Sequence, residues 1–540
     1  MSRSTLLAAL ALTAAPFAAA GTESFSFATV DARAKALAAA PYAKEPDTVP
    51  PFFMKLEYDD VSRIVFRPDR ALWAGTATPW KLQFFCPGRY HERIAKTYAV
   101  ENGVATEVKY DLAAFDFGSL QIPAGTPMPD GYAGFRINGR LNPKNTWDDE
   151  FAVFVGATYF RCVPSGVDAI YGLSARAVAI DTAMASTPEE FPFFRSFWVE
   201  RAPAGAKSVV VYALMDSPTC SGAYRIEMFP GPKVVTQVKA SVYFRKKPAR
   251  FGITPFSSMF AYGENSNYKL NDYRSEVHDS DGLLIEEKDG RRIWRPLDND
   301  NNGDIRESVF MVSGARGFGL RQRNLDYSRY ADLENQYHKR PGIWVEPGAG
   351  WPEGAIHLFE LPTGEEDWDN IVMYWEPAKI PGPGESLNYE YTMTWALDPA
   401  YGDPLSRIVA TRRGPPVRLG APNARPGVVR YFVDFSAIPG VVPDTKPALR
   451  TDTSGGAAIV GARLEPNPGV GGWRATLDVR PPEAGIPYEL RACLTVGDRE
   501  VSERWTARPV HEKAPKPAAA VKPAAPAPAP AAPKNAVGTN

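Results

Sequence analysis

Apolar and polar residues alternate along much of the chain in short stretches, a pattern typical of half-buried antiparallel strands. In "VVTQVKASVYF", residues 234–244, Val234, Val238 and Val242 fall on one side, while Gln237 and Lys239 fall on the other. The runs "KSVVVYALM" (207–215) and "GAYRIEMF" (222–229) are also rich in β-branched and aromatic residues. The pattern therefore predicts many short strands packed as a large β-sandwich.

Helical periodicity is confined to one segment near the start, "DARAKALAAAPY" at residues 31–42. Asp31 is placed to cap a helix there and Pro41 to end it. Elsewhere the 51 prolines and 44 glycines interrupt the chain too often for long helices. We therefore expect an all-β protein.

The amino-acid composition changes near residue 398, where Pro, Gly and Arg become frequent, and this change predicts a domain boundary. Residues 397–404 are read as a linker and 405–510 as a second domain, in which short strands fill about a hundred residues. That length and spacing are typical of an immunoglobulin-like sandwich. Residues 21–396 would form the large sandwich, since 540 residues exceed what one core normally holds.

The two ends of the chain predict export and a tail without a core. Residues 1–20 contain Arg3, the apolar run "LLAALALTAAPFAAA" and a small-residue ending before Gly21, as a secretory signal peptide does. Residues 511–540 are an Ala/Pro/Lys repeat, for which we expect an extended, disordered segment. No apolar stretch is long enough for a membrane span, so the mature protein is expected in the periplasm.

Charge and cysteine usage exclude several classes of protein. The formal charge of −1 argues against nucleic-acid binding, which needs a clustered basic surface. The cysteines Cys86, Cys162, Cys220 and Cys493 show no CxxC spacing, so a thiolate zinc site is not expected. One disulfide and four buried thiols remain alternatives. With five histidines, few residues are available for a histidine-based site.

Three motifs that carry chemistry elsewhere are weak here. "LDNDNNGDIRES" begins like a calcium loop at Asp298, Asp300 and Asn302, but its twelfth position is Val309 rather than a glutamate. A hydrophilic hairpin turn is the alternative, and we expect neither a metal nor a cofactor. No G-x-S-x-G elbow occurs. "GARGFGLRQR" (314–323) lacks the residues that complete a phosphate loop.

A carbohydrate site fits the residues better. "SEVHDSDGLLIEEKDG" (275–290) is rich in carboxylates, and glycoside hydrolysis needs one carboxylic acid and one carboxylate on opposite faces of the sugar. Sugar faces stack on aromatic rings, which are dense in residues 268–375, although a sandwich core also collects such rings. The tyrosines and tryptophans of this region are Tyr268, Tyr273, Trp294, Tyr327, Tyr330, Tyr337, Trp344, Trp351, Trp368, Tyr374 and Trp375.

Long motifs also carry a resemblance to a known family. "EVHDSDGL", "ENQYHKRPGIWVEP", "GWPEGAIHLFELP" and "DNIVMYWEP" resemble, in order, segments of the periplasmic glucan biosynthesis family (MdoG/OpgG, with its OpgD relative). The similarity extends from "FSFATVDARAKALAAAPY" to "ELRACLTVGDREVSE". The leader lacks a twin arginine, so the resemblance is to the G type. It implies a mutarotase-like β-sandwich, a short helical linker and an Ig-like domain.

The resemblance also implies an activity and its residues. Family members act in the synthesis of osmoregulated periplasmic glucans and are described as inverting β-1,2-glucan hydrolases. The general acid would be Asp369, the base Asp281 with Asp279 as the rival, and the residue relaying a proton through water Tyr337.

The surroundings of these carboxyl groups give further expectations. Trp368, Tyr374 and Trp375 are expected to bury Asp369 and raise its pKa, and Arg274 or His278 to keep Asp281 ionised. The predicted substrate-binding residues, which include the rival base, are Asp279, Arg274, His278, Tyr268, Trp344 and Trp351.

Alternatives to hydrolysis stay open at this point. A non-catalytic glucan-binding or scaffold component of the synthesis machinery is the main one, and a sugar-modifying transferase or epimerase is weaker. β-1,2-Glucan is the expected ligand, and the membrane glucosyltransferase of the pathway is the candidate protein partner. The residues do not decide between a monomer and a homodimer.

Overall fold

The computed structural model describes residues 24–44, 49–146, 148–266, 271–299, 303–312, 314–398, 404–417, 425–440 and 445–510. The predicted signal peptide, the predicted tail, Tyr268 and most of the predicted linker therefore lie outside the described residues. Within these ranges, no helix combines the length and apolar character needed to cross a bilayer.

Strands dominate the described chain, as the alternating pattern predicts. The helices are α1 (Phe27–Ala39), α2 (Pro51–Met54), α3 (Tyr58–Ser62) and α4 (Tyr327–Tyr330), with 3₁₀ turns at Pro68–Arg70, Leu112–Ala114 and Tyr337–Lys339. The strands up to residue 262 are β1 (Val65–Phe66), β2 (Trp80–Phe85), β3 (Lys96–Glu101), β4 (Val104–Glu107), β5 (Phe115–Asp116), β6 (Gly134–Gly139), β7 (Asp149–Val155), β8 (Phe160–Cys162), β9 (Ser174–Ala175), β10 (Val178–Ile180), β11 (Phe193–Glu200), β12 (Val209–Asp216), β13 (Cys220–Phe229), β14 (Val234–Phe244), β15 (Phe251–Ser258) and β16 (Phe260–Tyr262).

The remaining strands are β17 (Val277–His278), β18 (Gly282–Glu287), β19 (Arg292–Pro296), β20 (Arg306–Met311), β21 (Ala315–Arg321), β22 (Gly342–Pro347), β23 (Gly354–Glu360), β24 (Ile371–Pro377), β25 (Ser386–Ala396), β26 (Ile408–Gly414), β27 (Val429–Phe435), β28 (Ala448–Ser454), β29 (Ala458–Asn467), β30 (Gly472–Arg480), β31 (Glu489–Val496), β32 (Arg499–Glu500) and β33 (Arg504–Ala507).

Two large sheets enclose the main core. One has the order β2-β6-β7-β8-β9-β15-β24-β23-β20, with β10 beside β15. The other runs β28-β31-β33-β19-β18-β21-β22-β25-β14-β13-β12-β11-β3-β4, with β32 beside β31. Aromatic pairs join the sheets: Phe135 of β6 meets Phe197 of β11 at 5.1 Å, and Phe160 of β8 meets Trp395 of β25 at 5.9 Å. The sheets therefore form the expected sandwich, with their inward residues as its core.

Strand β14 confirms the alternation from which the fold was predicted. Val234, Val238 and Val242 are buried in the main core, whereas Gln237 and Lys239 are exposed. The strand lies between β13 and β25, with which it pairs over nearly its whole length.

Helix α1 begins earlier than predicted. It starts at Phe27 rather than near Asp31, because Ser26 precedes it with extended backbone and its N–H donates to Thr29 Oγ1 at 3.3 Å. Asp31 instead accepts a hydrogen bond from the Tyr243 hydroxyl at 2.9 Å. The C-terminal limit agrees, since the helix ends at Ala39, just before Pro41.

Residues 405–510 build a second core that is continuous with the first domain. A four-stranded sheet, β26-β27-β30-β29, faces β28, β31 and β33. However, β33 pairs in parallel with β19, placing Trp294 opposite Trp505. Hydrogen-bonded sheet structure therefore crosses the predicted boundary, and Trp344 of β22 packs against this second core.

Candidate active site

Asp369 lies in the loop between β23 and β24, at the end of the first sheet. The next side chain, Asn370, is buried and fixes this loop. Its Oδ1 accepts the Phe260 N–H at 2.8 Å, and its Nδ2 donates to the Phe260 and Leu361 carbonyls, each at 3.0 Å. Asp369 is thus held at a defined position next to strand β16.

The surroundings of Asp369 favour its protonated form. Burial raises the pKa of the carboxyl most; Arg161 lowers it, Asp279 raises it, and Arg340 and Arg176 lower it further. The net result is a pKa above the ordinary value for aspartic acid. A carboxyl group with these properties can serve as a proton donor.

Asp279 and Tyr337 share one cation, Arg340. The Arg340 guanidinium forms an ion pair with Asp279 and lies 4.3 Å from the centre of the Tyr337 ring. Asp279 is anchored by its own N–H, which donates to the Met259 carbonyl at 2.8 Å. Because Asp279 and Arg340 both affect the pKa of Asp369, these four residues form one electrostatic unit.

Tyr337 is a buried phenol in the 3₁₀ turn at residues 337–339. Burial raises its pKa well above the usual value; Arg340 lowers the pKa, while Asp279 raises it. Its hydroxyl therefore stays protonated in the physiological range and can both accept and donate a hydrogen bond. Tyr330 packs 6.0 Å away from it, ring centre to ring centre.

Asp281 occupies a different environment from Asp279. Its Oδ2 accepts the backbone N–H groups of Arg323 and Asn324 at 3.0 and 3.1 Å. Its buried Oδ1 has no hydrogen-bond partner among the described residues. Burial raises the pKa of Asp281, and the charges of His278 and Arg323 oppose this without reversing it. Asp281 therefore has an unused acceptor atom and an increased affinity for a proton.

His278 was one of two residues expected to keep Asp281 ionised; its charge lowers the pKa of Asp281, but burial leaves that pKa raised overall. The ring is buried, with Nε2 3.2 Å from Glu276 Oε2 and Nδ1 3.0 Å from Gln322 Oε1. Burial opposes protonation of His278, but the hydrogen bond and charge of Glu276 outweigh it and raise the pKa. His278 is thus a buried group behind the site, with an imidazole pKa above its ordinary value.

Arg274 pairs with carboxylates other than Asp281. It forms ion pairs with Asp272, with Asp332 at 2.8 Å and with Glu366. The expectation that Arg274 contacts Asp281 finds no support in these bonds. These ion pairs connect the loop of Arg274 itself to two others: Glu366 lies in the loop that leads to Asp369, and Asp332 lies in the loop that leads to Tyr337.

Two of the three aromatic residues expected around Asp369, Tyr374 and Trp375, are located elsewhere. Trp375 is six residues further along β24, roughly 20 Å away at the usual strand rise. Tyr374 stacks on His357 with ring centres 5.7 Å apart. The pKa of Asp369 is raised as expected, but the charges that modify it come from Arg161, Asp279, Arg340 and Arg176.

The tryptophans predicted to bind substrate have structural contacts. Trp351 packs on Trp375 at 5.7 Å and on Tyr391 at 5.9 Å, at the end of β24 opposite to Asp369. Trp344 contacts the second core, near the domain junction. The predicted role of Tyr268 falls outside the described residues.

The sequence reading missed the arginines of the site and Tyr159. Arg161 lies in β8 and Arg176 directly follows β9, about two hundred residues before Asp369, and no motif connects them to it. Arg176 stacks on Tyr159, 5.3 Å from the ring centre, and the charge of Asp369 contributes to the pKa of Tyr159, which burial raises. Arg340 could have been identified from the sequence, because it lies three residues after Tyr337 in the motif "YHKRP".

In the acidic loop after β19, Asp300 and Asn302 lie outside the described residues, whereas Asp298 has ion-pair partners. Asp298 is buried and pairs with Arg306 and Arg413, each at 3.2 Å. Across the described ranges, no group of three or more His, Cys, Asp or Glu side chains is arranged to hold a metal. The four cysteines are free thiols.

These features define an all-β protein with buried carboxyl groups, a shared arginine and a buried phenol at the end of a sheet. The chain belongs to the periplasmic glucan biosynthesis protein family MdoG, whose sequence profile matches residues 25–508. It is 39% identical over 503 residues to glucans biosynthesis protein G of Pseudomonas paraeruginosa (strain DSM 24068 / PA7), covering 92% of this chain and 94% of the relative. It is 40% identical over 506 residues to glucans biosynthesis protein D 1 of Ralstonia nicotianae (strain ATCC BAA-1114 / GMI1000), covering 90% and 92%.

Proposed function

We propose that this protein acts in the synthesis of osmoregulated periplasmic glucans as an inverting β-1,2-glucanase that works on the glucan backbone. Family membership supports the pathway. The observation that carries the hydrolytic step is the raised pKa of Asp369 in a site that also contains Tyr337 and two further aspartates. Glycoside hydrolysis by inversion requires a protonated and an ionised carboxyl group with room for water between them.

Asp369 is the proposed general acid. Burial favours its neutral form, so the carboxyl group keeps a proton to donate to the leaving glycosidic oxygen. Arg161 and Arg340 nearby would stabilise the carboxylate once the proton has left.

Asp281 is the proposed base, and Asp279 remains its rival. Asp279 is engaged by Arg340, whereas Oδ1 of Asp281 has no hydrogen-bond partner among the described residues. Burial also raises the pKa of Asp281, which makes it a stronger proton acceptor. Asp279 then has the supporting role of holding Arg340 against Tyr337.

Tyr337 and water would connect the attacking water to Asp281. Asp279, rather than Asp281, is the carboxylate among the charges that act most strongly on the pKa of Asp369, which is consistent with a base that works on the water from further away. Tyr330 packs next to Tyr337, and the charge of Asp281 adds to the effect of burial on the pKa of Tyr330. This sequence of groups supports a relay from Tyr337 towards Asp281.

The deciding experiment is incubation of the purified protein with linear β-1,2-glucan, followed by chromatography of the products and NMR of the fresh reducing ends. We expect shorter glucans with inverted anomeric configuration. Asp367→Asn, an exposed neighbour of the proposed acid, is the matched control for Asp369→Asn. Retention of configuration would refute the water mechanism.

A non-catalytic glucan-binding component is the second candidate function. It would bind glucan without cutting it, and its partner would be the membrane glucosyltransferase of the pathway. A wild-type protein that binds but does not shorten β-1,2-glucan would favour this candidate. In either case we propose a periplasmic location, checked by fractionation, and light scattering would distinguish a monomer from a homodimer.

A further inference from the structure

The orientation of Asp281 depends on a turn at residues 323–324. One carboxylate oxygen accepts both backbone N–H groups of this turn, at 3.0 and 3.1 Å. Because these are the hydrogen bonds recorded for the carboxylate within the described chain, a shift of the turn would shift the carboxylate with it.

The same turn is held by the C-terminal domain. The Arg323 guanidinium donates to both oxygens of Glu503, at 2.7 and 2.6 Å, and to the Ile408 carbonyl at 2.8 Å. Glu503 Oε2 also accepts the Ile408 N–H at 2.8 Å. The side chains of Arg323 and Glu503 are 6% and 1% exposed, so this bidentate pair is shielded from solvent.

A tryptophan at the domain junction fixes the arrangement further. The Arg323 guanidinium lies 3.6 Å from the centre of the Trp294 ring. Gly282, the residue after Asp281, approaches the same ring so closely that a Cβ atom would lie 2.2 Å from Cζ2 of Trp294. Trp294 in turn pairs with Trp505 across the β19–β33 ladder.

We infer that Glu503 of the C-terminal domain is a positioning residue for the proposed active site, acting through Arg323 on Asp281. A buried ion pair is weak evidence for stability, since its desolvation offsets most of its attraction, but removal of one partner leaves the other as an uncompensated buried charge. The C-terminal domain is then part of the catalytic machinery. This inference rests on the proposed function.

The test is Glu503→Gln, examined in the full mature chain. Glutamine keeps the shape but offers one acceptor where glutamate offers two, and its NH₂ group would face the guanidinium. We expect kcat on linear β-1,2-glucan to fall about 10- to 100-fold with KM nearly unchanged, because misplacement of a reacting group by about 1 Å can cost 10²-fold. Hydrogen exchange of residues 321–330 should become faster.

Arg413→Gln is the matched control, since it removes another ion pair across the domain junction, that with Asp298, without touching the turn. Arg413→Gln should leave both kcat and the hydrogen exchange of residues 321–330 close to wild type. Arg323→Lys is the second variant: it keeps the charge but loses the bidentate bonds, and it should show the same loss of kcat to a smaller degree.

The pH profile separates positioning from simple electrostatics. The charged and titratable groups that act most strongly on Asp281 include His278, Arg323, Asp398 and, from α4, Tyr330. Removal of the Glu503 charge alone would lower the pKa of Asp281, whereas loss of the two N–H bonds would raise it. We expect the acid limb of kcat/KM to move to higher pH in Glu503→Gln.

Unchanged exchange of residues 321–330 in both Glu503→Gln and Arg323→Lys would overturn the inference, whether or not the wild type cleaves glucan. Equal losses of kcat in Glu503→Gln and Arg413→Gln would overturn it as well. If the wild type cleaves nothing, the proposed function fails, and the exchange measurement alone decides the positioning role. A variant that does not fold is replaced by the milder Arg323→Lys.

Discussion

The guanidinium of Arg340 lies 4.3 Å from the centre of the Tyr337 ring while it forms an ion pair with Asp279. Stacking of a planar cation on an aromatic face is favourable and fixes the ring plane. Arg340 therefore fixes the direction of the Tyr337 hydroxyl, while the charge of Arg340 is balanced by the Asp279 carboxylate. This relationship connects the loop after β17 to the loop before β22.

Arg340→Lys should reduce glucan cleavage, because lysine keeps the charge but loses the planar stack on Tyr337. We expect kcat to fall about tenfold or more, as measured by reducing-end release. Lys339→Met, which removes the neighbouring cation paired with Asp168 at 3.0 Å, should keep nearly full activity. Equal losses in both variants would indicate that only the total charge of the loop matters.

Tyr337→Phe should lose activity if the hydroxyl relays a proton, since the ring and its packing are unchanged. The expected decrease is about 10²-fold or more, in the range of general acid–base effects. Glucan affinity, measured calorimetrically, should change little. Tyr431→Phe provides the control, because it deletes a buried hydroxyl that contacts Tyr488 in the C-terminal domain. Full activity of Tyr337→Phe would mean that this tyrosine only packs.

Asp369→Asn should lower kcat by about 10²–10⁴-fold, since it removes the proton that burial keeps on this carboxyl group. Comparison of Asp281→Asn with Asp279→Asn, assayed in parallel, identifies the base. We expect the larger decrease in Asp281→Asn. In Asp279→Asn, loss of the Arg340 pair should also weaken glucan binding. The reverse order would assign the base to Asp279.

The sequence indicated the strands and the candidate carboxyl groups better than their surroundings. Alternation in β14 predicts a local property, the side of the sheet on which each residue falls, and this does not depend on distant parts of the chain. Arg161 and Arg176 reach Asp369 only because β8 and the segment after β9 belong to the same sheet as β24. Such neighbours follow from strand order, which the sequence did not reveal.

The expected packing of Trp375 around Asp369 is not found, for a related reason. Trp375 is close to Asp369 in sequence, but an extended strand carries it away, into the core between the sheets. Trp344 faces the second core because β22 lies near the domain junction. Closeness in sequence is therefore a poor guide to which residues bury a carboxyl group. The position of Asp369 is fixed instead by the hydrogen bonds of the next residue, Asn370.

The thiols should be unreactive and unpaired in the folded protein. Burial raises the pKa of Cys86 to about 12 and also raises that of Cys220 to about 12, so few thiolates are present near neutral pH. Iodoacetamide should label the native protein slowly and label four thiols after unfolding, as counted by mass spectrometry. Reductant should leave the melting temperature unchanged. A decrease on reduction would show a stabilising disulfide instead.

Glu264 should make stability depend on pH at the domain junction. Its carboxylate accepts the Thr411 N–H at 2.8 Å and contacts Arg412 at 2.7 Å, yet burial raises the pKa to about 7. The folded protein therefore binds this proton more tightly than the unfolded chain does. Its contribution is full below the ordinary pKa of glutamic acid and declines as pH rises towards 7.

Glu264→Gln should flatten the pH dependence of the unfolding free energy between about pH 5 and 7. Across this pH range, the change in unfolding free energy that depends on Glu264 is on the order of 2–3 kcal/mol at most, since one pKa unit equals about 1.4 kcal/mol. Urea unfolding at pH 5, 6, 7 and 8 measures it. Glu465→Gln, an exposed glutamate on β29, should leave the profile as in wild type. An unaltered slope in Glu264→Gln would mean that the Arg412 and Arg329 contacts keep the carboxylate ionised, and that the junction does not respond to pH through this residue.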